Sequence, residues 1–197
     1  MRPNSAPATV AGVLLTGGAS RRMGRDKALL VVDGRTLAGR GAELLAAVAD
    51  PVVEVGPGHS GLAAVQEDPP GSGPLAGLCA GAAELGRLGH DGPVLLLAVD
   101  MPFVTVDLLR FLSDRVGPAT AVPVAGGRAQ PLCARYGADA LELAPRLLAA
   151  GERSLRGLLA GLEVGWVEPA EWEAVAGPDA FADLDTPADL VRLHEHP

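Results

Sequence analysis

A short apolar strand that runs directly into a glycine-bearing, basic loop is the feature that most constrains this sequence. Residues 13–16 have the composition of a buried strand, and the loop that follows carries two adjacent glycines and the cations Arg21, Arg22, Arg25 and Lys27. Glycine lets the backbone take positive φ angles and lie close to a ligand. Successive backbone N–H groups in such a loop form a concave anion site. Because open α/β sheets bind ligands where loops follow strands, the pattern predicts a triphosphate site rather than a basic surface turn.

The basic loop stands out because the chain is otherwise acidic. The 197 residues have a formal net charge of −8, from 16 basic and 24 acidic side chains. That balance argues against a general nucleic-acid-binding protein, whose affinity depends on many lysine and arginine contacts to phosphates. A local cluster of cations in an acidic chain instead favours a small anion bound in a focused site.

Two familiar phosphate-binding motifs do not fit the sequence. A Walker loop requires a lysine followed directly by serine or threonine, whereas Ala28 follows Lys27. A literal Gly-x-Gly-x-x-Gly occurs at residues 56–61, behind a predicted strand at residues 52–55. Two prolines at positions 69 and 70 come too soon for the crossover helix of a dinucleotide-binding fold. We therefore interpret residues 56–61 as a loop.

The whole chain alternates strand and helix patterns. The predicted strands are residues 13–16, 52–55, 94–99, 119–123, 129–136 and 162–167. The predicted helices are residues 36–49, 74–88, 105–116, 141–148 and 154–159, with a terminal helix that begins at Pro187. This alternation predicts an α/β fold, a three-layer α/β/α sandwich with a mostly parallel sheet. Residues 13–16 and 94–99 are expected to be central strands, because the second is a continuous apolar run.

The length of the chain suits one domain, which we place at residues 10–197 behind a disordered tail at residues 1–9. The tail has no apolar core of a secretory signal, and the longest aliphatic run is too short to cross a bilayer. We therefore expect a cytoplasmic protein with neither a membrane nor a nucleic-acid partner. Cys79 and Cys133 have no metal-ligand spacing and are predicted to be small buried hydrophobes.

An aspartate, Asp100, ends the apolar run at residues 94–99. The carboxyl end of a central strand is where open α/β sheets place their ligands, and a carboxylate there can hold a divalent cation beside a triphosphate. The structural alternative is a helix cap, for which Thr105 is better placed. The sequence therefore favours a metal-binding or catalytic role for Asp100.

Glycines 77 and 81 lie inside the helix predicted at residues 74–88, where each costs about 1 kcal/mol relative to alanine. Close approach of the sheet or of a ligand would explain them. Loose packing in an alanine- and glycine-rich segment would explain them equally well.

The segment LTGGASRRMGRDKA, residues 15–28, resembles the signature of nucleotidyltransferases related to the molybdenum cofactor guanylyltransferases. Further segments resemble the same family: GPLAG (73–77), VDMPF (99–103), RAQPL (128–132), GERSLR (151–156) and FADLDTPAD (181–189). The Gln-Pro-Leu element is similar to that of guanylyltransferases, where the cytidylyltransferase relatives tend to carry Gly-His-Pro. The chain departs from the family at Val55-Gly56, where asparagine is frequent, and in the aspartates of the last segment.

The resemblance implies a Rossmann-like nucleotidyltransferase fold of the glycosyltransferase-A type. It implies transfer of GMP from GTP to molybdenum-molybdopterin with Mg²⁺, giving molybdopterin guanine dinucleotide and pyrophosphate. Molybdopterin-inserting proteins or molybdoenzyme chaperones are the implied protein partners. The implied catalytic residues are Arg22, Lys27 and Asp100, with Asp100 as the metal ligand. The implied nucleotide-binding residues are Leu15, Thr16, Gly17, Gly18, Arg22, Lys27, Asp68, Gly73 and Asp100, and the implied pterin-side residues are Gln130, Ser154, Asp183 and Asp185.

Two other functions are compatible with the same residues. One is another small-molecule nucleotidyltransferase, such as a cytidylyltransferase for the same pterin or a sugar-phosphate enzyme. The other is a non-catalytic protein that binds a cofactor or nucleotide. Nucleotide preference distinguishes the first from a guanylyltransferase, and product formation distinguishes the second from any enzyme.

Overall fold

The fold was obtained as a computed structural model, which describes residues 10–17, 26–32 and 34–182. Its strands are β1 (Ala11–Leu15), β2 (Val31–Val32), β3 (Arg35–Thr36), β4 (Val52–Val55), β5 (Ala63–Val65), β6 (Val94–Ala98), β7 (Thr120–Ala125), β8 (Arg128–Ala129), β9 (Cys133–Tyr136) and β10 (Val164–Val167). Its α-helices are α1 (Leu37–Ala46), α2 (Pro74–Arg87), α3 (Val106–Asp114), α4 (Ala138–Ala149), α5 (Leu155–Leu159) and α6 (Pro169–Ala176). A short 3₁₀ helix covers Lys27–Leu29.

The main sheet has the strand order β10-β7-β9-β6-β1-β4-β5, and β8 pairs with β7. On this path β9 alone runs antiparallel to its neighbours, so the sheet is mostly parallel as predicted. Strand β1 lies between β4 and β6, with Leu15 opposite both Val55 and Ala98. The predicted central positions of β1 and β6 are therefore confirmed.

Helices cover both faces of the sheet, which gives the predicted three layers. One core joins α2, α4 and α5 to side chains of the sheet that include Val13 and Leu15. The other joins α1, α3 and α6 to the opposite face, which includes Leu14. Cys133 is buried and Cys79 is half-buried, and burial raises the pKa of these free thiols to about 12 and about 11. Within the described part of the chain, no helix is both long and apolar enough to cross a membrane.

Three helical glycines bring α1 and α2 close to β1. A Cβ atom at Gly81 would lie 2.6 Å from Cγ2 of Val13, and one at Gly77 would lie 2.9 Å from Cδ2 of Leu15. On the other face, a Cβ atom at Gly41 would lie 2.7 Å from Cδ1 of Leu14. Close packing against the sheet therefore accounts for glycines 77 and 81, and loose packing does not.

Several elements were not predicted from the sequence, namely strands β2, β3 and β5, the 3₁₀ helix and helix α6. Strand β5 has only three residues and pairs with β4 alone at the edge of the sheet, so it leaves little hydrophobic pattern. Helix α6 lies in an acidic segment that showed no clear periodicity. Its start is fixed by a capping box between Glu168 and Glu171, and it buries Trp172, whose ring N–H donates to the carbonyl of Val124 at 2.9 Å.

The loop at residues 56–61 folds around the carboxylate of Glu54, a fully buried residue of β4. Backbone N–H groups of Gly58, His59 and Ser60 donate to this carboxylate at 2.8–2.9 Å, and the Ser60 hydroxyl also donates to it. The hydroxyl of Thr16, next to the end of β1, is a further donor. The loop is confirmed, and its N–H groups are occupied by Glu54 rather than directed at a dinucleotide.

These hydrogen bonds determine the charge state of Glu54. Burial raises the pKa of its carboxyl, but bonds from the hydroxyls of Ser60 and Thr16 and from the amides of His59 and Ser60 outweigh burial. The net effect lowers the pKa of Glu54 from 4.5 to about 2. The carboxylate is therefore a stable anion that holds its loop against β1 at neutral pH.

Replacing Gly81 with alanine should destabilise the fold by about 1–3 kcal/mol, because the new methyl overlaps the stiff, buried side chain of Val13. The matched control is Gly86→Ala in the same helix, where a Cβ atom would meet nothing within 4 Å. That change should be neutral or stabilising by up to about 1 kcal/mol. Urea unfolding followed by circular dichroism measures both, and equal stability of the two variants would contradict the packing.

Glu54 should make the stability of the fold depend on acid. Because its pKa is lowered by folding, its contribution is complete above pH 4.5 and is lost as the pH falls towards 2. The contribution corresponds to roughly 3 kcal/mol. The difference in unfolding free energy between wild type and Glu54→Gln should therefore shrink over this range in urea titrations.

The control for this experiment is Glu43→Gln, which removes an exposed ion pair with Arg35 and should change stability little at any pH. A difference between wild type and Glu54→Gln that stayed constant from pH 5 to pH 2 would show that the ionised carboxylate is not what stabilises the loop.

Candidate active site

The carboxyl ends of β1 and β6 form the centre of the site. The two strands are adjacent and parallel. Val99, the first residue after β6, donates its N–H to the carbonyl of Leu15 at 3.0 Å. Continuing this register brings Asp100 level with Gly17. The predicted residues of the first strand and Asp100 therefore meet at the carboxyl ends of two central strands, as expected for ligand sites in parallel sheets.

Leu15 and Thr16 lie directly before the basic segment, by which we mean the glycine-bearing, basic loop from Gly17 to Lys27. Both residues are held by buried contacts. The side chain of Leu15 is buried against α2, and the buried hydroxyl of Thr16 is bonded to Glu54. Gly17 is exposed, and its N–H bonds the carbonyl of Val55 at 3.3 Å. A Cβ atom at Gly56 would lie 2.1 Å from Oγ1 of Thr16, so the backbone here leaves room for glycine alone.

Lys27 lies at the other described end of the basic segment. It opens the 3₁₀ helix, which is capped by Asp26, whose Oδ1 accepts from the N–H of Ala28 at 3.0 Å. Ala28, the next residue of this helix, is fully buried and so fixes the helix against the protein. Lys27 itself is half-buried. Two further predicted residues, Gly18 and Arg22, lie outside the described residues.

A histidine connects this helix to the loop of Glu54. The ring atom Nε2 of His59 lies 3.1 Å from Oδ2 of Asp26. Neither Glu54 nor His59 was predicted to contribute to the site. The sequence feature that could have indicated a role for Glu54 is that it is the single acidic residue among the valines of β4.

Asp100 has the features expected of a metal ligand. Its Oδ1 atom is buried and has no hydrogen-bond partner among the described residues. Leaving such an oxygen without a partner is costly, and a divalent cation, which prefers oxygen ligands, would satisfy it. The alternative role as a helix cap is excluded, because Thr105 caps α3 by accepting from the N–H of Leu108 at 3.2 Å.

The residues that the structure describes contain no group of three His, Cys, Asp or Glu side chains that could hold a metal. A cation held by Asp100 would therefore have fewer than three such side-chain ligands among the described residues. A cation bound there would need oxygen atoms from phosphates or water to complete its coordination, which is the usual arrangement of Mg²⁺ at nucleotide sites.

Gly73 and Ser154 are brought together by a contact between α2 and the α4–α5 connection. The N–H of Leu75 donates to the carbonyl of Arg153 at 3.2 Å, and a Cβ atom at Gly73 would lie 2.9 Å from the same oxygen. Gly73 also has a φ of +94°, which glycine adopts without strain. The Ser154 hydroxyl donates to Glu152 at 2.8 Å and accepts from Gly157, so it caps α5.

The two other described residues of the prediction are Gln130 and Asp68. Strand β9 runs antiparallel to β6, and the N–H of Ala98 donates to the carbonyl of Leu132 at 2.9 Å. Gln130 therefore lies at the same end of the sheet as Asp100. Asp68 is exposed in the loop between β5 and α2. Asp183 and Asp185, like the terminal helix predicted from Pro187, lie outside the described residues.

Comparison with known proteins identifies the family to which this chain belongs. Residues 12–173 match the model of the MobA-like NTP transferase domain. A probable molybdenum cofactor guanylyltransferase of Opitutus terrae is 39% identical over 197 residues, covering 93% of this chain and 94% of that protein. The molybdenum cofactor guanylyltransferase of Rhodobacter capsulatus is 33% identical over 192 residues, covering 94% and 95% of the two chains.

Solved structures share the fold. The molybdopterin-guanine dinucleotide biosynthesis protein A of Archaeoglobus fulgidus superposes with a TM-score of 0.76 at 24% identity, covering 94% of this chain and 97% of that one. A Mycobacterium tuberculosis protein solved in complex with manganese gives a TM-score of 0.62 at 18% identity, covering 96% of this chain and 100% of that one. On the family match and the curated relatives, this chain belongs to the MobA-like NTP transferase family and is a nucleotidyltransferase.

Proposed function

We propose that this protein transfers GMP from GTP to molybdenum-molybdopterin, with release of pyrophosphate. The observation that carries the proposal is the meeting of Gly17, Asp100 and Gln130 at one end of the sheet. Each belongs to a different segment that resembles the guanylyltransferases, and relatives named for that activity match over most of the chain. One substrate can therefore contact all three segments at the carboxyl ends of the strands.

In the reaction, an oxygen of the terminal phosphate of molybdopterin attacks the α-phosphorus of GTP. A new P–O bond forms as the bond between the α- and β-phosphates breaks, and pyrophosphate carries away the electron pair. The protein has little covalent work to do, so positioning and charge stabilisation account for catalysis. In the proposed site Gly17 allows the triphosphate to lie against the backbone, and Lys27 supplies positive charge to the phosphates.

Lys27 has no substitute in this chain. It is the only lysine in the sequence, beside 15 arginines. An ammonium group is a compact point charge, whereas guanidinium is a wide planar fork. Lys27 is half-buried and directly follows the helix cap Asp26. Its ammonium group therefore suits a single directed contact with a phosphate oxygen.

Asp100 would hold the divalent cation of the reaction, which we propose to be Mg²⁺. Its buried Oδ1 atom, which has no hydrogen-bond partner in the described part of the chain, supports this role, and a protein of the same fold has been solved with manganese. A bound cation neutralises charge on the phosphates. Gln130 and Ser154 are proposed to line the pterin side with Asp183 and Asp185, and Asp68 is proposed to contact the nucleotide.

Asp100→Ala and Lys27→Ala should each lower turnover by about 10²–10³ while leaving the fold intact, because each removes one preorganised electrostatic contact. Lys27→Arg should recover only part of the loss, since the two cations differ in shape. Steady-state pyrophosphate release, with matched circular dichroism, measures all three variants. Asp100→Ala should also lose Mn²⁺ binding in the presence of GTP, measured by electron paramagnetic resonance without turnover.

Asp107→Ala is the matched control, because Asp107 forms an exposed ion pair with Arg110 on α3 and should be dispensable for activity. If folded Asp100→Ala kept more than about a tenth of the wild-type rate, the loss would be too small for such a contact. The proposed metal-binding role of Asp100 would then be wrong.

GTP should bind in preference to CTP, as the resemblance of residues 130–132 to the guanylyltransferases implies. A thermal-shift series with GTP, CTP, ATP and UTP in Mg²⁺ measures this, because a ligand at 100 times its Kd stabilises a protein by about 2.7 kcal/mol. Stabilisation by CTP and not by GTP would indicate the cytidylyltransferase instead. Binding of GTP without pyrophosphate release in the presence of the pterin would indicate a non-catalytic binding protein.

A further inference from the structure

Both described ends of the basic segment are bonded to one neighbouring loop. Thr16, directly before the segment, donates its hydroxyl to Glu54. Asp26, at the other end, lies 3.1 Å from the ring of His59. Glu54 and His59 belong to the same turn of chain, since the backbone N–H of His59 donates to the Glu54 carboxylate at 2.9 Å.

The contacts form a continuous path from β1 to Lys27. The path runs from Thr16 to Glu54, along the backbone of His59 to its ring, and then to Oδ2 of Asp26. The other carboxylate oxygen of Asp26 accepts from Ala28, which fixes the helix opened by Lys27. Thr16, Glu54, His59 and Asp26 are each held by a hydrogen bond to another residue of this path, and Ala28 is held by the cap of its helix.

We propose that Glu54 and His59 are positioning residues that hold Lys27 in place for the transfer reaction, an inference that rests on the proposed function. We call Glu54, His59 and Asp26 the carboxylate clip. In the clip, Glu54 holds its loop by accepting hydrogen bonds, and the ring of His59 contacts Asp26 of the basic segment. Asp26 in turn caps the helix that begins at Lys27. No substrate contact is required of any of the three.

The contact between His59 and Asp26 is suited to positioning rather than to stabilising the fold, unlike the buried contacts of Glu54. The side chains of His59 and Asp26 are 24% and 42% exposed, and contacts between partly exposed polar side chains contribute little to stability. A displacement of about 1 Å in a catalytic group can nevertheless cost about 10²-fold in rate. Loss of the His59 contact should therefore reduce turnover far more than it reduces the melting temperature.

His59→Ala should lower kcat by about 10-fold, less than the loss of Lys27 itself, because the helix keeps its cap from Asp26. His59→Gln should recover most of the rate, since its side-chain amide can replace Nε2 as a donor to Asp26. The matched control is His90→Ala at the opposite end of the sheet, where the ring nitrogen lies 3.0 Å from the carbonyl of Pro93. It should keep the wild-type kcat.

The decisive comparison is a double-mutant cycle between His59→Ala and Lys27→Ala, run with the nucleotide that the wild type prefers. If His59 acts through Lys27, its removal should cost about 10-fold in wild type and nothing further when Lys27 is absent. An equal cost in both backgrounds would overturn the proposal, because it would show that His59 acts independently of Lys27.

Amide hydrogen exchange at Ala28 tests the physical connection without any turnover. The N–H of Ala28 bonds Asp26, so His59→Ala should raise its exchange rate at least about 3-fold, and His90→Ala should leave it unchanged. Unchanged exchange in His59→Ala would overturn the clip whether or not the protein is a transferase. If the wild type released no pyrophosphate from any nucleotide, the proposed function would fail, and the exchange rate of Ala28 would still decide whether the clip exists.

Discussion

The close packing of β1 between two helices is the constraint on which the rest of the site depends. Gly41 of α1 meets one face of the strand, and Gly77 and Gly81 of α2 meet the other, each where a methyl group would overlap a core side chain. This contact holds α2 against β1. The beginning of α2, at Gly73, is in turn bonded to the α4–α5 connection through Arg153. Three segments far apart in the sequence are thereby fixed at the end of one strand.

Two carboxylates at the same end of the sheet show how burial can serve structure or chemistry. Glu54 is surrounded by N–H and hydroxyl donors that lower its pKa and satisfy both oxygens, so its charge is used to hold a loop. Asp100, after β6, keeps a buried oxygen without a partner in the described structure, so its bonding capacity remains for a cation. The difference lies in the neighbours supplied by each loop, because Glu54 lies near the end of β4 and Asp100 lies just after β6 in the same sheet.

The sequence was sufficient for the features that depend on local pattern. The alternation of strand and helix patterns predicted a three-layer fold with a mostly parallel sheet, and the end of one apolar run predicted the place of Asp100. Strand β5 and helix α6 were missed because three edge residues and an acidic helix carry little hydrophobic periodicity. The partners of Glu54 and His59 could not be predicted, because Thr16 is 38 and Asp26 is 33 residues away along the chain. The pairing of β1 with β4 brings Thr16 and Glu54 together.

A crystal structure with a non-hydrolysable GTP analogue and Mn²⁺ would test most directly whether the end of β1 and β6 is the nucleotide site. We expect an anomalous Mn²⁺ peak about 2.0–2.5 Å from Oδ1 of Asp100, with the triphosphate between Gly17 and Lys27. The contrary result would be a nucleotide bound elsewhere, such as in the groove of about 400 Å³ between α2 and α4 that is lined by Cys79, His90 and Glu142. A cation without contact to Asp100 would equally contradict the assignment of the metal site.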